Sequence, residues 1–432
     1  MTTTTNNEQK KLNVPNKREQ NQSCLDSAER EGLRPNGNVP NLRFPEFRGE
    51  WEKVRLGEEC NMLCGYAFNG EDIVEQGSYL LMRGINITEG SIRHSSELDR
   101  YYSGSIEKLD KYKLAIGDLV IGMDGSKVGR NSAIVSSYED GSYLVQRVCR
   151  IRSSIGNNYI LQFINNTKFH QYVDTVKTSS AIPHISLRDI KNYRISIPST
   201  QDETDKIAKL FLLLDERIAT QNKIIEDLKK LKSAIIEKHY SQVKKQTTYI
   251  ADLGEAFSVG SLAKDDLAEI GNPCVIYGEL FTTYGEIIFH IESYTNKTDG
   301  MILSKKGDLL FPSSTTVDAM SLIAPSVINV DGVVLGGDMF GIHISHNYNA
   351  QYLSYYFNHI AKKQLAKFAK GSTIIHLHYT DIEKAKLLLP SLEEQNRMAK
   401  CLVALDKKIS VEQNLLSLLI CQKSYLLQQM FI

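Results

Sequence analysis

Residues 180–198 read SAIPHISLRDIKNYRISIP, and residues 372–390 read STIIHLHYTDIEKAKLLLP. A serine, a histidine, an Asp-Ile pair and a closing proline recur in the two stretches at a constant offset of 192 residues. A long segment with helical apolar periodicity follows each proline. The chain is therefore built as two repeats of one plan, and this repeat decides the fold more than any single motif does.

Between the repeated stretches the two halves agree at some places and differ at others. IGDLVIG at residues 116–122 is echoed by KGDLLFP at 306–312, whereas GMDGSKVGRNSAIV at 122–135 stands where the second half has PSSTTVDAMSLIAP at 312–325. Each middle segment contains short apolar runs broken by Gly and Ser turns, and an amphipathic helical pattern follows them. Each half is therefore predicted to hold a small α+β domain, with like ends and unlike middles.

A helix of about 36 residues is predicted after each closing proline, and the two helices align at an offset of 191 residues. Heptad positions a, d and e carry the apolar stripe, and polar breaks fall at matched places, Arg217 with Lys408 at d and Gln221 with Glu412 at a. These breaks indicate a register device, a contact site for another protein, or polar residues tolerated at a frayed seam. We expect the helices, roughly 54 Å long at about 1.5 Å per residue, to pack as an antiparallel coiled coil. The candidate contact residues are Leu214, Arg217, Gln221, Leu228, Leu405, Lys408, Glu412 and Leu419.

Length and composition indicate a globular chain without a membrane span. The 432 residues suffice for two or three domains, and 42% of them are apolar. No apolar run reaches the length of a membrane helix, and the N-terminal stretch MTTTTNNEQKKLNVPNKREQ lacks the apolar region of a signal peptide. We expect a cytoplasmic protein whose residues 1–40 form a disordered polar leader.

The formal net charge of zero argues, on its face, against a nucleic-acid partner. The average conceals a basic segment, because residues 141–200 contain eight Lys or Arg and only two acidic residues. Such a segment is either a solvated face or part of a DNA-binding surface. Arg147 and Arg150 are its candidate DNA contacts.

The glycine-rich sequence after the apolar run DLVIG is a candidate DNA-reading loop, with ordinary turns as the alternative. Glycines such as Gly125 let backbone N–H groups approach phosphate, and Ser126 belongs to the same loop. Lys127 can meet phosphate or a base edge, and Arg130 can form a bidentate contact to guanine O6 and N7. The second half offers a weaker, less basic hydroxyl segment, to which the same alternative applies. Its residues are Ser313, Ser314, Thr315 and Thr316.

The chain carries none of the motifs that catalysis on DNA requires. An adenine methyltransferase needs an Asn/Asp-Pro-Pro-aromatic loop for the extruded base, and the nearest stretch, NPCV, lacks the second proline and the aromatic. GMDGSKVGR has no Gly-Lys-Ser/Thr ending, so an ATP site is not expected. Asp118, Asp124 and Lys127 are a weak signal for a metal-dependent nuclease. Cys60 and Cys64 have no second ligand pair at zinc spacing, so we expect no metal, no cofactor and no catalytic residue.

The repeated arrangement resembles the specificity (S) subunit of Type I restriction-modification systems over roughly residues 41–432. The matching stretches are SSAIPHISLRDI with the following IPSTQDETDKIAKLFLLLDERI, and GSTIIHLHYTDI with LPSLEEQNRMAKCLVALDKKI. LRFPEFRGEWEKVRLGE, ahead of the first half, is a further likeness. The second junction departs from the first where Ile375 replaces Pro183 and Thr380 replaces Arg188. Any role of those two side chains is therefore not shared by both halves.

The resemblance implies a non-catalytic α+β protein, with two small target recognition domains in pseudo-two-fold repeat, separated by two long antiparallel helices that form a coiled-coil strut. The domains would read the halves of a bipartite, asymmetric target in double-stranded DNA, and the helices would set the spacing. Methylation and ATP-driven cleavage would belong to methyltransferase (M) subunits, two in number, and to restriction (R) subunits held through them. The implied limits are a leader at 1–40, recognition domains at 41–200 and 246–390, and helical regions at 201–245 and 391–432.

Two other functions are compatible with the sequence. A stand-alone DNA methyltransferase or nuclease could carry the same recognition module, although the missing motifs argue against it. A coiled-coil adaptor could use its two domains to bind protein or sugar. Sequence-specific retention on DNA that requires a methyltransferase partner would distinguish the S-subunit function from both.

Overall fold

A computed structural model describes residues 37–432. The predicted leader lies outside these residues, apart from its C-terminal end. The described chain divides into two compact units: the first combines the residues up to Thr220 with Leu416–Ile432, and the second spans Gln221–Leu415. Both units mix helices with sheets, which confirms the predicted α+β class. Within residues 37–432, no helix combines the length and the apolar character needed to span a bilayer.

Within residues 37–220, the first unit contains two four-stranded sheets, two strand pairs and four short α-helices. The first sheet has the order Cys60–Cys64, Val148–Ser153, Leu119–Gly122 and Ser132–Ile134, and the second has the order Tyr143–Leu144, Tyr79–Met82, Tyr101–Tyr102 and Ile73–Val74. The strand pairs are Glu52–Arg55 with Arg194–Ile197, and Ile87–Thr88 with Ser91–Ile92. The short helices are Leu56–Glu59, Asn157–Ile164, Thr167–Val176 and Leu187–Asn192.

The second unit contains two five-stranded sheets, two strand pairs and five short helices. The first sheet has the order Gly254–Ser258, Met339–Ile344, Asp308–Pro312, Ser326–Ile328 and Ile287–Ile288, and the second has the order Leu267–Ala268, Ser293–Thr295, Asn272–Ile276, Val334–Gly336 and Ile302–Leu303. The strand pairs are Gln246–Tyr249 with Lys386–Leu389, and Ser314–Thr315 with Ile375–His376. The short helices are Glu279–Thr282, Ala319–Leu322, Ala350–His359, Lys362–Leu365 and Tyr379–Ile382.

The repeated apolar runs DLVIG and DLLFP form the corresponding inner strand in each unit. Side chains alternate across a strand, so Leu119 packs into one apolar core of the first unit and Val120 into another. In the second unit Leu309 and Leu310 are divided between two cores in the same way. A strand buried on both faces has no polar alternation, which explains why both runs are continuously apolar.

Two long helices, Gln201–Gln242 and Leu392–Met430, follow the two closing prolines, as predicted. They are antiparallel within each unit. In the first unit the Nζ atom of Lys423 lies 2.5 Å from a carboxylate oxygen of Asp215. In the second unit Lys232 lies 2.9 Å from Asp406 and His239 lies 3.2 Å from Glu394, so rising numbers on one helix meet falling numbers on the other.

The buried stripe of the long helices differs from the predicted one. Positions a and e face inward, as Phe211 and Ile225 on the first helix and Leu402 on the second illustrate. Most d positions face outward, and Ile224 and Leu231 are 39% and 49% exposed, whereas Leu210 and Leu415 are half-buried. The prediction that d joins the seam is therefore wrong for most of these positions. Positions a and e alone already recur at alternating steps of four and three residues, which is the spacing that a coiled-coil seam needs. The apolar residues at d made the stripe look wider in the sequence than it is.

The candidate contact residues of the helices divide between the seam and the surface. Leu419 is buried in the first unit and Leu214 is half-buried there, while Leu228 and Leu405 are half-buried in the second unit. Two further members at the outward-facing d positions are exposed, so they are not seam residues. These are Arg217 and Lys408.

Gln221 and Glu412 form a buried polar contact between the helices. They are 5% and 8% exposed, and the Gln221 Nε2 atom donates to the Glu412 carbonyl oxygen at 3.1 Å and to its carboxylate. Lys408 forms an ion pair with the same carboxylate. The two residues hold the same position in the repeat, 191 residues apart. A residue that pairs with its own counterpart supports the register-device interpretation, because a shift of either helix would leave the buried Gln221 amide without its Glu412 partner.

Candidate nucleic-acid interface

The candidate reading loop of the first unit is a tight turn that follows strand Leu119–Gly122. Gly125 and Gly129 have φ angles of +93° and +72°, a region that favours glycine. A side chain at Gly129 would also press on Val173, because an added Cβ would lie 2.8 Å from it. The Gly125 amide donates to the carbonyl oxygen of Pro183 at 3.0 Å. The glycines therefore shape the loop, and one of them ties it to the repeated junction.

The polar side chains of this loop reach solvent. Ser126, Lys127 and Arg130 are exposed. Lys127 lies 3.0 Å from Glu89, and Arg130 lies 3.1 Å from Asp174. All four side chains are more than two-fifths exposed, and ion pairs at such sites contribute only about 0–1 kcal/mol. A phosphate or a guanine edge can replace these carboxylate partners at little cost.

The two arginines of the basic segment lie in different environments. Arg147 is exposed at the surface with a φ angle of +68°, and its carbonyl oxygen accepts from the Met123 amide at 2.9 Å. Arg150 is only 5% exposed, and it donates to the carbonyl oxygens of Lys111 at 2.9 Å and Lys113 at 3.2 Å. Burial lowers the pKa of Arg150. The predicted DNA contact of Arg150 conflicts with this burial, and we omit Arg150 from the candidate interface.

The hydroxyl segment of the second unit is also less accessible than the sequence indicates. Ser313 and Ser314 are buried, at 4% and 7% exposure. Thr315 is half-buried and Thr316 is exposed. Only the two threonines offer side chains to a ligand, so the predicted role of the two serines finds no support in their placement. The backbone of Ser313 makes two hydrogen bonds. Its amide donates to the carbonyl oxygen of Asp338 at 2.7 Å, and its carbonyl oxygen accepts from the Leu377 amide at 2.9 Å.

The repeated junction forms a backbone ladder with the variable loop in both units, a contact that sequence reasoning missed. In the first unit Asp124 forms an antiparallel bridge with His184, and the Ile185 amide donates to the Met123 carbonyl at 3.0 Å. In the second unit strand Ser314–Thr315 pairs with Ile375–His376. The repeated histidine therefore marks the residue that lies beside the variable loop. The fixed offset of the histidines was the available signal, but nothing in the sequence identified their partner strand.

The repeated Asp-Ile pair has a local structural role. In the first junction the Asp189 carboxylate accepts from the Ser186 amide at 2.8 Å and from the Ser186 hydroxyl, so it closes a capping box on helix Leu187–Asn192. In the second junction Asp381 accepts from the His378 amide at 3.0 Å. The isoleucine that follows is buried in both copies. The junction thus continues from the loop through a short capped helix and a strand, Arg194–Ile197 or Lys386–Leu389, before the long helix begins.

The model of the Type I restriction modification DNA specificity domain matches residues 48–230 and 243–419 of the chain. The Type I restriction enzyme EcoAI specificity subunit of Escherichia coli is 29% identical over 179 residues, which are 40% of this chain and 29% of that protein. The MjaVIII specificity subunit of Methanocaldococcus jannaschii is 25% identical over 54% of this chain and 60% of its own. The chain therefore spans less than two thirds of either relative.

Solved structures share the fold at low sequence identity. The S subunit of a Type I restriction-modification system from M. genitalium superposes with a TM-score of 0.61 at 16% identity, covering 91% of this chain and 99% of that one. A chain from a structure that describes complex assembly and conformational transition of the type I R-M system gives a TM-score of 0.51 at 14% identity, with 89% and 98% coverage. These likenesses concern the fold alone.

Proposed function

Because the chain belongs to the family of Type I restriction modification DNA specificity domains, we propose that it is the subunit that selects the DNA sequence for such a system. Its two recognition domains, for which we keep the limits 41–200 and 246–390, read the two halves of a bipartite, asymmetric target. The observation that carries the proposal is that both repeats match the family and that each presents an unlike loop on a like junction. Like scaffolds with unlike loops suit two unlike half-sites.

DNA contacts in the first domain are assigned to the loop at Gly125–Arg130 and to Arg147. Lys127 and Arg130 exchange their carboxylate partners for phosphate or a guanine edge. In the second domain Thr315 and Thr316 take the corresponding place. This domain has less positive charge at the loop, so we expect it to depend more on hydrogen bonds to bases and on DNA shape.

Chemistry on the DNA is assigned to other subunits. Two methyltransferase subunits dock on the long helices, and restriction subunits join through them in the cytoplasm. The outward faces of the helices suit this role, because Leu213, Leu231 and Leu418 are 54%, 49% and 64% exposed. Apolar side chains repeated along a solvent-facing helix are the usual contacts of a second helix laid against it. The helices also fix the spacing of the two half-sites.

Methylome mapping tests the proposal directly. The chain is expressed with a methyltransferase subunit of the same type of system from its host, in a strain that lacks other adenine methylation, and N6-methyladenine is mapped across the genome. We expect one bipartite motif with a fixed spacer, and no methylation when either protein is expressed alone. Methyl transfer by the purified chain would support the stand-alone enzyme instead. A motif that is unchanged when this chain is omitted would refute the proposal.

A further inference from the structure

Each unit carries an exposed tip at the start of its repeated junction, formed by residues 179–182 and 371–374. All the residues of both tips are exposed. The last residue of each tip is an isoleucine, and Ile182 and Ile374 are 67% and 49% exposed. They stand at the same place in the repeat, 192 residues apart. Each unit therefore presents a branched apolar side chain to solvent at the same position of the repeat.

The first tip is held firmly beside the candidate reading loop. The Thr178 amide donates to the His184 carbonyl at 3.0 Å, and the Thr178 hydroxyl accepts from the His184 amide at 3.0 Å. The Ser180 hydroxyl donates to the carbonyl oxygen of Ile182 at 2.6 Å. The next residue, Pro183, accepts from the Gly125 amide of the loop at 3.0 Å. Ile182 thus directly precedes the residue that makes the backbone contact with the loop.

A different set of hydrogen bonds closes the second tip. Lys370 and His376 exchange both backbone hydrogen bonds, at 2.9 and 2.7 Å. Gly371 has a φ angle of +117°, and a Cβ there would meet the Ile374 carbonyl oxygen at 2.0 Å. The tight turn therefore requires glycine and brings Ile374 to its end. The adjoining strand Ile375–His376 pairs with the variable segment Ser314–Thr315.

The surroundings of both isoleucines match the chemistry of a DNA backbone. Hydroxyl side chains flank them in both copies, Ser180 before Ile182 and Thr373 before Ile374. A lysine stands at the base of each tip, and each forms an ion pair from which phosphate can recruit it, Lys177 with Asp174 at 2.6 Å and Lys370 with Asp381 at 2.5 Å. Hydroxyl and ammonium groups are the usual phosphate contacts, whereas an aliphatic side chain has no partner on the backbone and needs an apolar surface. A duplex offers two apolar surfaces, the thymine methyl group in the major groove and the stacked face of a base, and an exposed branched side chain at the end of a tight turn suits insertion against the second.

We propose that Ile182 and Ile374 are apolar wedges, each entering the base stack of its own half-site while the neighbouring loop reads base edges. Apolar side chains inserted in this way unstack a base step and make its deformability part of recognition. The inference rests on the proposed function and adds to it a second, non-hydrogen-bonding element of specificity in each domain.

Binding and stacking can be measured on the assembled complex. The chain is purified with its methyltransferase subunits, and the DNA probe is a fluorescent duplex of the motif that methylome mapping returns. A second set of duplexes carries 2-aminopurine at successive positions, because its fluorescence rises when stacking is lost. Ile182→Ser and Ile374→Ser are the test variants. Ile116→Ser and Ile270→Ser are matched controls, since these isoleucines are 63% and 86% exposed in the first and second units, away from the tips.

Each tip variant is expected to weaken binding about tenfold, the loss that follows when an apolar side chain of this size no longer leaves water. Ile182→Ser should abolish the 2-aminopurine signal in the first half-site only, and Ile374→Ser in the second only. Ile182→Leu should keep both the affinity and the 2-aminopurine signal. At an abasic site in the contacted step there is no base to unstack, so Ile182→Ser should bind there like the unsubstituted protein. The controls should bind normally. Thermal melting confirms folding, with Ile182→Ala as a milder replacement.

The outcomes separate the two proposals. If the unsubstituted complex selects no DNA sequence, the proposed function itself is refuted. If it does so and the tip variants equal the controls in affinity and fluorescence, the wedges are refuted while the function stands. If Ile182→Ser instead dissociates the methyltransferase subunits on gel filtration, the tip is a protein contact, and the wedge inference is overturned.

Discussion

Lys232 and Lys423 hold the same position in the two long helices, 191 residues apart, and each is bound by an aspartate of the other helix. Lys232 lies 2.9 Å from Asp406, and Lys423 lies 2.5 Å from Asp215. The two aspartates are themselves equivalent in the repeat. A side chain from outside the long helices completes each contact within the same unit, Gln162 to Asp215 and Tyr355 to Asp406. The repeat thus extends to the individual ion pairs that join helix to helix and helix to domain.

Replacing Lys232 by Ala should destabilise the second unit by about 3–5 kcal/mol, because Glu286 and Asp406 would lose their shared cation while largely buried. Chemical denaturation followed by circular dichroism measures the change. The control is Lys230→Ala, whose ion pair with Glu226 is exposed to solvent and should contribute much less to stability. Equal effects of the two substitutions would contradict the buried network.

The same network predicts a loss of stability in acid. Burial alone would raise the pKa of Glu286, but the His359 hydrogen bond and the Lys232 charge outweigh it and lower the pKa to about 2. A carboxyl group whose pKa is lowered on folding stabilises the protein above its ordinary value of 4.5, and this contribution disappears as the pH falls from there to about 2. The contribution is about 3 kcal/mol. Denaturation midpoints between pH 6 and pH 2 should fall less steeply in Glu286→Gln.

Replacing Lys127 and Arg130 by Ala should weaken readout of the first half-site only, by about 1–3 kcal/mol if one of them makes a bidentate base contact. Thr316→Ala should affect only the second half-site. The methylome of each variant gives the result for every position of the motif. Arg150→Ala is unsuitable as a DNA-contact test, since its buried hydrogen bonds would be lost. A Lys127 variant with changes in both half-sites would show that the domains do not read independently.

Lengthening both helices should lengthen the spacer. Four residues inserted after Ile225 and after Ile409 fall between the Gln221–Glu412 and Lys232–Asp406 contacts and preserve both. The insertion adds about 6 Å at about 1.5 Å per residue and overshoots one helical turn by roughly 40°. One or two base pairs at about 3.4 Å each should enter the spacer. The methylome should show the same half-sites, further apart.

The placement of these insertions depends on the antiparallel arrangement. An insertion after Leu228 combined with one at its repeat equivalent, Leu419, would move Gln221 out of reach of Glu412. This mismatched pair is the control and should destabilise the protein. An unchanged spacer in the matched variant, with folding intact, would mean that the helices do not set the distance.

A fragment of residues 41–245 should form a homodimer that modifies a palindromic target. Two copies of the first long helix can pair as the two unlike helices do, with Asp215 of each copy bound to Lys232 of the other. Tyr240 would take the place of its equivalent, Phe431, which packs 5.5 Å from Phe211. Light scattering gives the oligomeric state, and the methylome gives the target. Modification of the original asymmetric target by the fragment would contradict the repeat model.

The sequence predicted the repeat, the α+β class and both long helices because these features are written in periodicity and fixed offsets. It did not predict which stripe is buried, since Ile224 and Leu231 are apolar yet face solvent. The sequence also did not reveal that Arg150 is buried, because an arginine can be buried where backbone carbonyl oxygens accept its hydrogen bonds. The pairing of His184 with Asp124 is a long-range backbone contact, and no side-chain pattern encodes it.

The ladder between junction and loop has a consequence for heredity. Its hydrogen bonds run between backbone atoms, such as Ile185 N–H to Met123 and Leu377 N–H to Ser313, and most amino acids can supply them. Gly125 and Gly129 are exceptions, because their positive φ angles favour glycine. A mutation or a recombination event that replaces the side chains of a variable segment therefore leaves its attachment intact. New target preferences can arise in one genetic step without a compensating change in the scaffold. Under the proposed function, the target can therefore change while the long helices that would hold the partner subunits stay the same.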